Sequence, residues 1–272
     1  MGVVNVTPDS FSDGGLYALT ESAICHAARL IEEGAGMLDI GGESTRPGSD
    51  SVSAAEELRR VIPVVQALAS RDIPISVDTS KPEVMLAAIQ AGAVMINDVN
   101  ALRATGALEV VAAGNVAACL MHMQGEPHNM QTNPRYRDDV VTDVKDFLQL
   151  RLNAAQEAGI SLERLVIDPG FGFGKTTEHN FELLNRLDSF AIFELPIVVG
   201  LSRKSMICKS LNIDPSESLN GTTVLNTIAL SNGCDILRVH DVKEAIEAIR
   251  LIEKTKIYKS CLKFFYLVLA FG

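Results

Sequence analysis

Chemistry that depends on paired cysteines, a basic surface or a membrane span has little to work with in this chain. Its five cysteines (Cys25, Cys119, Cys208, Cys234 and Cys261) are scattered, with no C-x-x-C pair. That pattern fits structural thiols in a reducing cytoplasm. Lysine and arginine number 24 against 34 aspartates and glutamates, a net charge of −10. A nucleic-acid surface needs a basic face, so no nucleic-acid partner is expected. The apolar stretch from Phe264 to Phe271 falls well short of the roughly 20 residues of a spanning helix. No basic-then-apolar leader precedes the first motif, and no membrane partner is expected.

Catalytic and nucleotide signatures are missing as well. His122 and His128 lack the H-E-x-x-H spacing of a zinc site, and no G-x-S-x-G elbow surrounds Ser202 or Ser205. Gly170-Phe-Gly-Phe-Gly-Lys-Thr fails as a P-loop because Pro169 stands where the first glycine belongs. It also fails the dinucleotide pattern, being G-x-G-x-G rather than G-x-G-x-x-G. No Pro/Ser/Gly-rich linker divides the chain. A single domain is expected over residues 1–254, followed by an atypical apolar tail at 255–272.

What the chain does contain is a repeated grammar. Eight short apolar strands, expected near 2–6, 37–41, 75–78, 94–97, 117–121, 165–168, 197–200 and 236–239, each run into a polar cluster. Helical patterns separate them, several ending at a glycine (Gly34, Gly92, Gly114, Gly233) that suits a left-handed helix end. Ser80-Lys-Pro-Glu83 reads as a capping box. With 47% hydrophobic residues over 272 positions, the chain suits an α/β fold, a single-domain (β/α)8 TIM barrel whose polar strand ends build one site. That regularity points to a small-molecule enzyme.

The polar clusters divide by charge. Asp78, Asn97 and Asp168 end strands three, four and six, and acceptors of this kind match the N–H edges of a heterocycle. Lys204 is placed to reach such a ring from its other edge. A helix-capping role is a rival reading for Asp78. Arg238 and His240, two apart at the eighth strand end, are expected to share a face toward the barrel mouth, with Arg46 converging from the second loop. Cationic donors collected in an acidic protein suggest a pyrophosphate-like leaving group, the alternative being a solvated surface pair.

In this order, Asn5-Val-Thr-Pro-Asp-Ser-Phe-Ser-Asp-Gly, Asp39-Ile-Gly-Gly-Glu-Ser-Thr-Arg-Pro-Gly, Asp168-Pro-Gly-Phe-Gly-Phe-Gly-Lys, Ser202-Arg-Lys-Ser and Arg238-Val-His-Asp resemble the dihydropteroate synthases of the pterin-binding family. The likeness runs from Gly2 to about residue 254. It implies a transferase of folate biosynthesis. Dihydropterin pyrophosphate and p-aminobenzoate would give dihydropteroate and pyrophosphate by a dissociative route, with sulfonamides as p-aminobenzoate mimics.

By the same resemblance Asp78, Asn97, Asp168 and Lys204 hold the pterin. Asn5, Arg46, Arg238 and His240 hold the pyrophosphate, and Asn5 also touches Mg²⁺. Thr45, Pro47, Phe173, Ser202 and Lys204 line the p-aminobenzoate pocket, closed by loops 8–18 and 44–50. Catalysis would rest on Asn5, Arg46, Asp168, Lys204, Arg238 and His240, in a homodimer joined through helices late in the barrel. The rivals are a corrinoid-linked methyltransferase of the same family and a catalytically silent pterin binder.

Overall fold

Alternation along the strands sets the architecture. The computed structural model describes residues 1–7, 15–44, 48–49, 51–126 and 129–255. Thr45, Arg46, Pro47, His128, most of loop 8–18 and the tail from residue 256 lie outside the described residues. Within them, eight strands follow in order: β1 (Gly2–Asn5), β2 (Leu38–Gly41), β3 (Ile75–Asp78), β4 (Met95–Asp98), β5 (Ala117–Met121), β6 (Leu165–Asp168), β7 (Val198–Val199) and β8 (Ile236–Leu237). Each lies within a residue or two of its expected place.

β1 to β6 pair in sequence order as one parallel sheet, and β7 pairs with β8 in parallel. Parallel bridges between Ile167 and Ile197, and between Gly2 and Val239, join the two sheets on both sides. Backbone bonds from Val3 N to Val239 O (2.9 Å) and from Val239 N to Met1 O (3.0 Å) complete the ring. The expected (β/α)8 barrel is therefore the fold.

Helices separate the strands: α1 (Gly15–Glu32), α2 (Ala54–Leu68), α3 (Pro82–Ala91), α4 (Ala107–Gly114), α5 (Val140–Glu157), α6 (Thr177–Asn185), the pair α7 (Ser205–Leu211) and α8 (Leu219–Ser231), and α9 (Val242–Thr255). Two local expectations need correction. Gly92 ends α3 in the left-handed region at φ 112°, as expected, but at the end of α4 that conformation falls on Asn115 (φ 52°) rather than on Gly114. α3 is capped not by Ser80 but by Lys81, which makes no side-chain capping bond. Pro82, with φ preset and no N–H to satisfy, fixes the first helical position there.

One side of each strand feeds the main core. Leu38 and Ile40, Ile75 and Val77, Ala118 and Leu120, and Leu165 and Ile167 pack outward against helix residues such as Leu30, Val61, Met85, Val111 and Leu148. The other side fills the barrel. Met37, Met95, Ala117, Cys119, Val166, Val198 and Ile236 form a separate apolar cluster there. Nearer the C-terminal strand ends, Val99, Met121, Met123 and Met130 form a third cluster with Phe173 against it. The inward column thus turns from apolar to polar from Met95 to Asn97, from Val166 to Asp168 and from Ile236 to Arg238, as a barrel with its site at the C-terminal face requires. Among the described residues no helix is long and apolar enough to cross a membrane.

Candidate active site

Parallel register brings the inward polar residues side by side. Asp78 stands opposite Asn97, Asn97 opposite Cys119, and Met121 opposite Asp168. They surround a cavity lined by Asp78, Asn97, Val99, Met121, Asp168, Phe171, Phe173, Gly200, Lys204 and Arg238. Of the residues expected in the site from sequence, Asp78, Asn97, Asp168, Phe173, Lys204 and Arg238 meet at this one cavity.

Across its floor runs a charge network. Arg238 donates from Nε to Asp39 Oδ2 at 2.6 Å and from Nη2 to Asp78 Oδ2 at 2.8 Å. Asn97 donates to the same Asp39 oxygen at 2.9 Å. Asp39 is fully buried, and its Oδ1 makes no hydrogen bond. Burial pushes the Asp78 carboxyl up to about 7, against the pull of Arg238 and with the help of Asp39. Burial lowers the Arg238 pKa, but Asp39 and Asp78 outweigh it and raise it overall. The capping role weighed for Asp78 does not arise, since Lys81 occupies the cap position of α3.

Asp168 is fixed by the turn that follows it. Its Oδ1 accepts from Gly170 N at 2.7 Å, and burial still raises its pKa against that bond and against Lys204. Gly170 (φ 73°) approaches β5 so closely that a Cβ would stand 1.8 Å from His122 O. Gly170 therefore serves close backbone packing. Lys175 pins the same turn, donating to Gly170 O (2.8 Å) and Phe173 O (3.2 Å) and meeting His122 Nδ1 at 2.9 Å. Burial pushes both groups well below their ordinary values, with the Lys175 charge adding to the effect on His122. Phe173 carries the Lys204 ammonium 4.2 Å above its ring, a cation–π contact that places both on the cavity wall.

The loops after β7 and β8 are tied together. Ser202 Oγ meets His240 Nδ1 at 3.0 Å and accepts from His240 N at 3.3 Å. Arg203 grips the Asp241 carboxylate through Nε (3.2 Å) and Nη2 (2.6 Å). Arg238 lines the cavity, whereas His240, beyond the regular part of β8, is held on Ser202 and is not among the lining residues. Asn5 ends β1 half-buried and is likewise not part of the lining.

Asp39, Lys175, Val99, Met121, Phe171 and Gly200 were given no role from sequence. Asp39 had a signal, since a carboxylate in the middle of an apolar parallel strand needs a buried partner. Met121 and Gly200 had only their strand-end positions. Removing one partner of a buried ion pair typically costs about 3–5 kcal/mol. Asp39→Ala is accordingly expected to lower the free energy of unfolding by about 3 kcal/mol or more in urea titrations, while an exposed-surface control such as Glu253→Ala stays within about 0.5 kcal/mol.

Comparison with known proteins agrees with this geometry. The model of the pterin binding enzyme family matches residues 1–240. The dihydropteroate synthase of Escherichia coli (strain K12) is 52% identical over 256 residues, covering 94% of this chain and 90% of the relative. Among solved structures, the Yersinia pestis dihydropteroate synthase with a sulfonamide drug complex superposes with TM-score 0.90 at 50% identity, covering 94% of this chain and 93% of that one. The Xanthomonas albilineans dihydropteroate synthase with 4-aminobenzoic acid gives TM-score 0.88 at 49% identity, covering 94% and 92%. By family match, sequence identity and barrel geometry together, the chain belongs to the pterin-binding enzymes, among the dihydropteroate synthases.

Proposed function

We propose that this chain condenses 6-hydroxymethyl-7,8-dihydropterin pyrophosphate with p-aminobenzoate, giving 7,8-dihydropteroate and pyrophosphate. The observation that carries this reading is the cavity itself. Buried and part-buried acceptors (Asn97 and Asp168, with Asp78) line it beside two cations (Arg238, Lys204), in a chain of this family. Asp78 and Asp168 accept from the pterin N–H edges, Asn97 adds an amide, and Lys204 approaches the ring from the opposite side. Phe173, Ser202 and Lys204, with Thr45 and Pro47, hold p-aminobenzoate. A sulfonamide competes for the same place.

The reaction breaks the C–O bond to the diphosphate, forms a C–N bond to the aniline, and releases one proton from that nitrogen to solvent. Asp168, buried beside the ring, favours the positive charge that develops on the pterin as diphosphate departs. Arg238, His240, Arg46 and Asn5 receive the leaving anion. Aniline nitrogen is nucleophilic as it stands, so positioning does the work of a base. Asn5 would supply a hard amide oxygen to Mg²⁺. The ion would neutralise charge on the leaving group.

A homodimer in the cytoplasm completes the proposal. Leu211 on α7 and Val224 and Ile228 on α8 are exposed apolar side chains on late helices, the latter two at helical spacing.

Purified protein given both substrates and Mg²⁺ is expected to form dihydropteroate and pyrophosphate in equal amounts. Pterin binding without p-aminobenzoate-dependent product would leave a binder instead. Arg238→Ala is expected to lower turnover by on the order of a hundredfold, the usual cost of a charge contact made in the transition state. Unchanged turnover in folded protein would contradict the role of Arg238.

Affinity for dihydropterin pyrophosphate should also depend on pH. Asp78 accepts two N–H bonds only when ionised, and its carboxyl is raised to about 7. Binding therefore weakens as pH falls through that value, approaching about tenfold per pH unit below it. Asp168 is raised in the same direction. Calorimetric titration of wild type and Asp78→Asn at several pH values checks this, since the variant should lose most of the slope.

A further inference from the structure

Lys81 stands where a helix start ordinarily has an acceptor. It is the cap residue of α3 and makes no capping bond, and a positive side chain is unfavourable beside a helix N-terminus. Its ammonium reaches two carboxylates from other elements instead: Glu43, in the loop after β2, and Glu57 on α2 at 2.5 Å. Glu57 is fully buried, and its Oε1 makes no hydrogen bond. Lys81 is its counter-charge, which accounts for a lysine at this position. Burial works against the charge on Lys81, but Glu43 and Glu57 outweigh it and raise the pKa of the ammonium.

Glu43 acts in two directions. One carboxylate oxygen binds Lys81, and the other accepts from Val52 N at 2.8 Å, across the second loop. Inside that bond the Ser49 hydroxyl donates to Ser44 O at 2.5 Å, so the two limbs of the loop are joined at its base. The base is also seated on α2. A Cβ at Gly42 would stand 2.7 Å from Val61 Cγ2, and Arg60 Nη1 donates to Gly42 O at 2.9 Å. The segment that this stem carries holds Thr45, Arg46 and Pro47, and Lys81 lies three residues after Asp78.

We propose that Glu43 and Lys81 are positioning residues that lock the stem of the second loop to the pterin-binding end of β3, setting the p-aminobenzoate and diphosphate contacts of that loop relative to the pterin. The proposal rests on the reaction assigned above. Neither side chain lines the cavity. Their effect is on where the second substrate is held, and a displacement of about 1 Å in such a group is felt strongly in catalysis.

Glu43→Ala is the informative variant, because it leaves the buried Lys81–Glu57 pair in place. The expected result is a rise of about tenfold or more in KM for p-aminobenzoate. Affinity for dihydropterin pyrophosphate, measured by calorimetry, should stay within about twofold, because Asp78 and Asn97 keep their Arg238 and Asp39 partners. The double variant Lys81→Met, Glu57→Gln removes the tie without stranding a buried charge and should repeat the selective rise. Lys81→Arg, still able to meet both carboxylates, should keep KM near the wild-type value. An unchanged KM for p-aminobenzoate in folded Glu43→Ala overturns the proposal. So does a parallel fall in both affinities and in Tm, which would make the tie a stability element only. Failure of the underlying reaction is distinguishable, as wild-type protein that makes no dihydropteroate, and the proposal falls with it.

Discussion

Asp39 and Asp78 project into the same barrel interior from neighbouring strands, and Arg238 is the cation that lets both stay there. One guanidinium spans them through two bonds of 2.6 and 2.8 Å. Without it, two buried carboxylates would face each other in a medium that screens poorly. The same bridge joins β8 to β2 and β3, so the strand that closes the barrel is tied to the strand ends that form the acidic wall. Asn97 hangs from Asp39 in turn. Closure of the fold and preorganisation of the site are in this sense one interaction.

Around that bridge the loops are fixed in pairs. Ser202 with His240 and Arg203 with Asp241 join the seventh loop to the eighth. Lys81 with Glu43 and Glu57 joins the third loop to the second. Lys175 gathers the turn after β6 onto β5 through Gly170, Phe173 and His122. Arg203 and Lys81 tie the loops from outside the cavity lining, while Arg238 and Lys204 line it. An acidic protein thereby keeps a small set of positive groups where an anion is expected to leave. The lack of a G-x-S-x-G elbow in the sequence fits this arrangement, because departure of diphosphate calls for charge stabilisation and a well-placed amine.

Much of this was legible in the residues. Strand positions followed from short apolar runs, and the barrel from their alternation with helices. Asp78, Asn97, Asp168 and Arg238 were expected at strand ends, Phe173 and Lys204 among the other site residues, and all six meet at one cavity. What sequence could not supply was pairing. Arg238 was read as a diphosphate ligand, and nothing in Arg238-Val-His-Asp tells that two of its N–H groups are engaged by carboxylates 160 and 199 residues away. The glycines at 170–174 matched neither nucleotide pattern, and only the fold shows that at Gly170 the space a side chain would need is filled by the backbone of His122. Lys81 was read as the second residue of a capping box because Ser80 and Glu83 had the right spacing. Its actual partners, Glu43 and Glu57, are distant in sequence and close only once the barrel has formed. Local patterns give elements, and long-range charge pairing appears only with the fold.

The central claim is that this site stabilises departure of diphosphate before the amine attacks. Dihydropterin pyrophosphate carrying ¹⁸O in the bridging C–O–P position tests it most directly, incubated with the protein and Mg²⁺ but without p-aminobenzoate. If the C–O bond breaks and re-forms in the site, label moves into the non-bridging oxygens of the adjoining phosphate in recovered substrate. Scrambling without p-aminobenzoate is the result this account predicts. Complete retention of label, in protein that turns over normally once p-aminobenzoate is added, would contradict it and point to a concerted displacement by the amine.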